Sequence, residues 1–113
     1  MEKMNKKFLL IFVLAVFISQ NSFAQIPSYH QFYGSIKNQN DSLITRNLEI
    51  KAYINGTLAG STTSNQGLYG YSELFFVLNG EDGQEIKFYI NNILSKSYNF
   101  VSEGVTELNL IWP

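Results

Sequence analysis

Cysteine is absent from this 113-residue chain, histidine occurs once and proline twice. Lack of a thiol excludes a disulfide framework, a thiolate nucleophile, cysteine-ligated zinc and a lipid-modified cysteine anchor. With His30 as the sole histidine, no two-histidine metal site exists, and a Ser–His–acid triad has only one residue to build on. No Gly-x-Ser-x-Gly elbow presents a nucleophilic serine. His30, at the start of the first strand, reads as a surface residue. Two prolines exclude a proline-rich stalk or linker. Basic clusters are missing as well, so a nucleic-acid partner has no electrostatic footprint. These absences lead to the expectation of a protein that is not an enzyme and carries neither cofactor nor metal.

Long apolar runs are equally scarce, the longest being Phe8 to Ile18 near the N-terminus. At about 11 residues it falls short of the roughly 20 that cross a hydrocarbon core. Lys3, Lys6 and Lys7 flank it, and Ser22-Phe23-Ala24 sets small residues where a signal peptidase cuts. Residues 1–24 therefore read as a secretory leader. The product is expected to be exported, to periplasm, cell surface or medium, with no membrane span once the leader is removed. Loss of Glu2, Lys3, Lys6 and Lys7 leaves five basic against eight acidic residues, a formal charge near −3. Residues 25–113 are enough for one domain. A domain so small buries only about 60–65 % of its extended-chain surface, and without disulfides it must hold by packing. Nine Phe, seven Tyr and one Trp in the precursor supply the material.

What is present after the leader is alternation with period two. Leu48, Ile50, Ala52 and Ile54 alternate with Glu49, Lys51 and Tyr53; Ile86, Phe88 and Ile90 alternate with Lys87 and Tyr89; Thr106, Leu108, Leu110 and Trp112 sit opposite Glu107 and Asn109. Each pattern describes a strand with one face in a core and one in water. Turn residues separate the runs: the polar loop Asn38–Ser42, Asn55-Gly56, Ser64 to Gly67, Asn79 to Gly83, Asn91-Asn92 and Ser102 to Gly104. Asn55-Gly56 suits a type I′ turn, since both residues tolerate positive φ. The spacing predicts an all-β, antiparallel sandwich of about seven strands, near 29–37, 47–54, 57–63, 68–78, 85–91, 93–100 and 105–112.

One segment is echoed. Ile50 to Ser61 aligns without a gap on Ile86 to Ser97, with seven of twelve positions identical. Both stretches read as strand, tight turn and returning strand. Two copies are too few to stack as a solenoid.

The tracts Tyr53-Ile54-Asn55-Gly56, Gly60-Ser61-Thr62-Thr63, Gly67-Leu68-Tyr69-Gly70, Ile86 to Asn91 and Gly104 to Leu110 follow in one order. That series resembles carboxypeptidase-regulatory-like and collagen-adhesin B-type domains, small exported modules. The resemblance spans about Tyr33 to Leu110 and implies a transthyretin-like or Ig-like Greek-key sandwich. Asn92 stands where such modules usually carry glycine. Some adhesin relatives are stapled by a Lys–Asn isopeptide bond, and Lys37 with Asn109 is the one pair in roughly suitable places. Asn109, however, alternates onto the wet face.

Tyr53 and Tyr89 occupy equivalent places in the two hairpins and point away from the apolar register, so hairpins sharing one sheet would form a wet aromatic strip. Flat rings with a hydroxyl suit protein contacts and sugar faces, while tyrosine also favours strands for structural reasons. Tyr69 and Tyr71 read as sharing one strand face, with Gly67 and Gly70 permitting a bulge or close approach. Phe75 to Leu78 reads as a central buried strand. Glu81, Asp82 and Glu85 gather carboxylates but lack the regular calcium-loop spacing, so a solvated turn is expected. Asn55-Gly56-Thr57 and Asn40-Asp41-Ser42 match the N-glycosylation pattern in predicted turns. The expected function is a non-enzymatic, secreted or cell-surface module. It either binds a protein partner or itself, or uses Tyr53 and Tyr89 to bind polysaccharide.

Overall fold

The alternating segments become strands wherever one face meets apolar neighbours. A computed structural model describes residues 26–113, so the leader expected over 1–24 lies outside the described residues. Nine strands are formed, with no helix among the described residues: β1 (Tyr29–Lys37), β2 (Glu49–Ile54), β3 (Thr57–Thr63), β4 (Leu68–Tyr69), β5 (Phe75–Leu78), β6 (Glu85–Ile90), β7 (Ile93–Asn99), β8 (Gly104–Glu107) and β9 (Leu110–Ile111). They build two sheets that face each other across one core, the predicted sandwich. The expected count of seven rises to nine because two long runs are each broken.

The first break falls between β4 and β5. Gly70 adopts φ +81, a left-handed conformation that ends a strand. A Cβ there would strike the Phe32 carbonyl oxygen. The second falls at Leu108-Asn109, where the Leu108 N–H donates to the Tyr33 carbonyl at 2.8 Å. Asn109 Oδ1 then accepts the Ser35 N–H at 3.0 Å, so a side chain replaces a carbonyl in the ladder.

In sheet I, β1 is the spine. Its N-terminal half pairs with β5 on one side and β8 on the other; its C-terminal half pairs with β4 and β9. β8 and β9 run parallel to β1, two exceptions within the expected antiparallel sandwich. The chain reaches them by crossing from sheet II through Phe100 to Glu103, and a crossover permits parallel entry where a hairpin does not. Sheet II has the order β3-β2-β6-β7 and is antiparallel throughout.

The core lies between the sheets. Phe32 of β1 meets Phe88 of β6 edge to face, with ring centroids 4.9 Å apart. Around them Ile36, Ile50, Ala52, Phe75, Val77, Ile86, Ile90 and Leu110 are buried. β5 is not the central buried strand that its apolar run suggests. Among the described residues it pairs only with β1, turning Phe75 and Val77 inward while Phe76 and Leu78 remain 37 % and 38 % exposed. At one side of the sandwich β3 nears β5, where Gly60 leaves room for the Phe76 carbonyl and the Phe75 ring. At the other side Ser95 Oγ on β7 donates to the Ile111 carbonyl and accepts the Ile111 N–H.

Candidate binding face

Sheet II is one hairpin built twice. β2 with β3 and β6 with β7 are offset by 36 residues throughout. Their turns match: Asn55 and Gly56 have φ of 51° and 76°, Asn91 and Asn92 φ of 45° and 68°. Positive φ at both central positions is the type I′ signature and twists correctly into a hairpin. The bulges match as well, falling between Ala52 and Tyr53 and between Phe88 and Tyr89. β2 and β6 then pair antiparallel with Ala52 opposite Phe88, Lys51 opposite Tyr89 and Tyr53 opposite Lys87. Under the 36-residue offset Ala52 and Phe88 are the same position, so a local twofold axis passes through that pair.

The axis fixes the outer face. Tyr53 and Tyr89 are mates under the twofold and meet edge to face, centroids 5.4 Å apart and planes at 87°. The two side chains predicted to share a wet face do so, but crossed and not as a flat strip. Lys51 with Glu49 (3.5 Å) and Lys87 with Glu85 (4.0 Å) form symmetric ion pairs beside them. Tyr53, Asn55, Gly56, Glu85, Lys87, Tyr89 and Asn92 line a half-open cleft of about 440 Å³, within the roughly 300–1,000 Å³ range of small-ligand sites.

The symmetry fails at the turns. Asn91 donates its N–H to the Glu49 carbonyl at 2.9 Å, and its Oδ1 accepts the Glu49 N–H at 3.1 Å. Equivalent bonds from Asn55 to Glu85 are absent among the described residues. Asn55 lines the cleft, while the side-chain oxygen of Asn91 is bound to the neighbouring strand. Sequence reasoning singled out the tyrosines and both turns. It missed Lys87 as a cleft residue and assigned Glu85 to an acidic loop, although both lie in the same alternating register as Tyr89.

Other candidates fall elsewhere. His30 is not on the surface but fully buried (0 % exposed), stacked on Phe32 at 4.1 Å and flanked edgewise by Tyr98 and Phe100. It belongs to the inward set His30, Phe32, Gly34 and Ile36, a period-two signal visible in the sequence. Its Nδ1 accepts the Val101 N–H at 3.0 Å, which places the proton on Nε2 for donation to Thr106 Oγ1 at 2.7 Å. Burial lowers its pKa below 6.5. Gly104 follows from this ring. It is the extended first residue of β8 and not a left-handed turn position, which Glu103 takes at φ 61°. A Cβ at Gly104 would sit 2.8 Å from His30 Nε2.

Tyr69 and Tyr71 do not share a face, because Gly70 reverses the alternation between them. Tyr69 is buried and donates its hydroxyl to the Leu108 carbonyl at 2.6 Å, and desolvation followed by the nearby Tyr71 raises its pKa. Tyr71 is exposed and packs edgewise on Tyr33. Gly67, at φ 82°, completes the Gln66-Gly67 turn before β4. The acidic loop disperses: Asp82 Oδ1 accepts the Ser102 N–H at 2.7 Å and Glu85 faces Lys87. Among the described residues no three acidic or histidine side chains gather as metal ligands. Lys37 pairs with Asp41 at 3.3 Å while Asn109 Oδ1 serves Ser35, so the two residues of the conceivable isopeptide are engaged elsewhere.

No family model, curated protein or solved structure matches the chain.

Proposed function

We propose that this protein is a non-enzymatic, exported β-sandwich module, delivered by a cleaved leader, that works by binding through the outer face of sheet II. The observation that carries this reading is the crossed pair Tyr53 and Tyr89. Two large aromatics stand on the polar side of the sheet and wall a cleft that also holds two amides, a carboxylate and an ammonium group. Binding by strand addition at an edge is less well supported, because β3 lies against β5 and Ser95 of β7 is engaged by β9.

Transthyretin-like kinship with carboxypeptidase-regulatory-like and adhesin modules is part of the same proposal, supported by the order of turns and hairpins along the chain. A second reading has its own observation. The outer face of sheet I exposes Phe76, Leu78 and, at 63 %, Val105 around Gln31, and apolar residues grouped on one face suit a protein partner.

Co-sedimentation with insoluble cell-envelope material from the producing organism separates the two. The first reading expects Tyr53→Ala/Tyr89→Ala to abolish sedimentation and Val105→Ser to leave it intact. Unchanged sedimentation of the double tyrosine variant would contradict it, and loss with Val105→Ser alone would favour the sheet I face.

A further inference from the structure

Resting on the reading that the outer face of sheet II is the working surface, we propose that the cleft beside Asn55 takes one neutral pyranose residue of a polysaccharide. In its twofold-related counterpart the Asn91 Oδ1 is already engaged by the Glu49 N–H. Three properties of the lining lead to this ligand class. Asn55 and Asn92 each present groups that donate and accept, Glu85 accepts, Lys87 donates and the tyrosine hydroxyls do both. A ligand that answers all of them carries groups that themselves donate and accept, which describes hydroxyls.

Charge narrows the class. Glu85 and Lys87 stand 4.0 Å apart and cancel, so the cleft holds no surplus charge for a uronic acid, a phosphate or a cationic peptide. A protein interface fits less well: interface centres are depleted of charge, whereas here half-exposed ion pairs flank the two rings.

Ring geometry sets the size. With planes at 87°, only one tyrosine can offer its π face to the cleft while the other offers an edge. One sugar ring can therefore stack through its C–H face, and two consecutive rings on a flat platform cannot. The twofold would provide a second, equivalent cleft beside Lys51. Asn91 differs there, because its N–H and its Oδ1 are both bonded to the Glu49 backbone, so the two halves of the face are not equivalent.

The test uses the leader-free protein and a panel of neutral hexose and N-acetylhexosamine oligosaccharides, with an oligouronate as the charged control. Amide shifts are followed by NMR at millimolar concentrations, the range expected for a small open site. At least one neutral oligosaccharide should shift Tyr53, Asn55, Lys87, Tyr89 and Asn92 more strongly than the oligouronate does. Asn55→Gly keeps the positive-φ turn and deletes the amide; it should weaken binding severalfold, up to about tenfold for one lost hydrogen bond. Tyr53→Ala should weaken it about tenfold or more.

No shift with any neutral sugar, tighter binding of the oligouronate, or Asn55→Gly binding like wild type overturns the inference. Protease treatment of the envelope material distinguishes this failure from failure of the broader reading. Sedimentation that depends on the tyrosines but vanishes after proteolysis means a protein occupies the face, which refutes the saccharide and keeps the face.

Discussion

A buried histidine with two fixed partners is a cost at acid pH, and His30 is this protein's case. Its Nδ1 lone pair accepts the Val101 N–H, so protonation would set two donors against each other inside the core. Desolvation adds to the penalty and lowers the folded-state pKa below 6.5. The unfolded chain then binds more protons than the folded one in the window between that lowered value and 6.5, so stability rises with pH there. His30's contribution is complete above 6.5, is lost as pH falls toward the folded pKa, and changes no further below it. Urea midpoints measured across that window should fall with acidification for wild type. The slope should be flatter for His30→Gln, which retains a donor and an acceptor without titrating. Equal slopes would show that His30 does not carry the acid sensitivity.

At the scale of single residues the sequence was legible where alternation was unbroken. Ile50, Ala52, Ile54, Ile86, Phe88 and Ile90 all lie inward as predicted. It misled where a neighbour far along the chain decides. His30 looks peripheral until Thr106 and Val101 arrive from β8 and its preceding loop. Tyr69 and Tyr71 look equivalent until Gly70 turns over.

At the scale of elements, the two hairpins differ where their surroundings differ. Ala52 and Phe88 lie opposite each other at the twofold axis on the inner face, where cross-strand Cβ atoms sit about 4.5–5.5 Å apart. Small opposite large lets the Phe88 ring extend to Phe32 and Phe75. Ala59 and Ser95 are the two bulge residues: the first packs on the core and the second bonds β9. Gly60 admits β5, while its mate Lys96 lines a surface hollow with Asn109. Nothing in the structure explains Thr57 against Ile93.

The turns give a direct comparison. Asn55→Gly and Asn91→Gly both retain residues suited to positive φ, but only the second deletes a bond, the one the Glu49 N–H donates to Oδ1. Asn91→Gly should therefore be the more destabilising by about 0.5–1.5 kcal/mol in chemical denaturation. Equal losses would mean that the asymmetry between the turns carries no energy. Element positions were largely readable: β1 and β3 match the predicted spans, and β2, β6 and β7 differ only at their ends. The unread part was the splitting of 68–78 and 105–112, because Gly70 and Asn109 act through the backbone of β1, which no local pattern reveals.

At the scale of the whole molecule, a small thiol-free domain is held by one spine strand and one repeated hairpin. β1 recruits four partners within nine residues, and sheet II covers it with a surface whose two halves are copies. This arrangement sets the tyrosines against each other on the outside while Phe88 fills the inside. Parallel entry of β8 and β9 beside β1 was invisible in the sequence, since period-two patterns carry no strand direction.

The measurement closest to the centre of this account is a NOESY spectrum of residues 25–113. Ring protons of Tyr53 and Tyr89 should show cross-peaks to each other, and the backbones of Ala52 and Phe88 should show cross-strand contacts. A folded protein in which neither is seen, with the two hairpins apart or paired in another register, would contradict it.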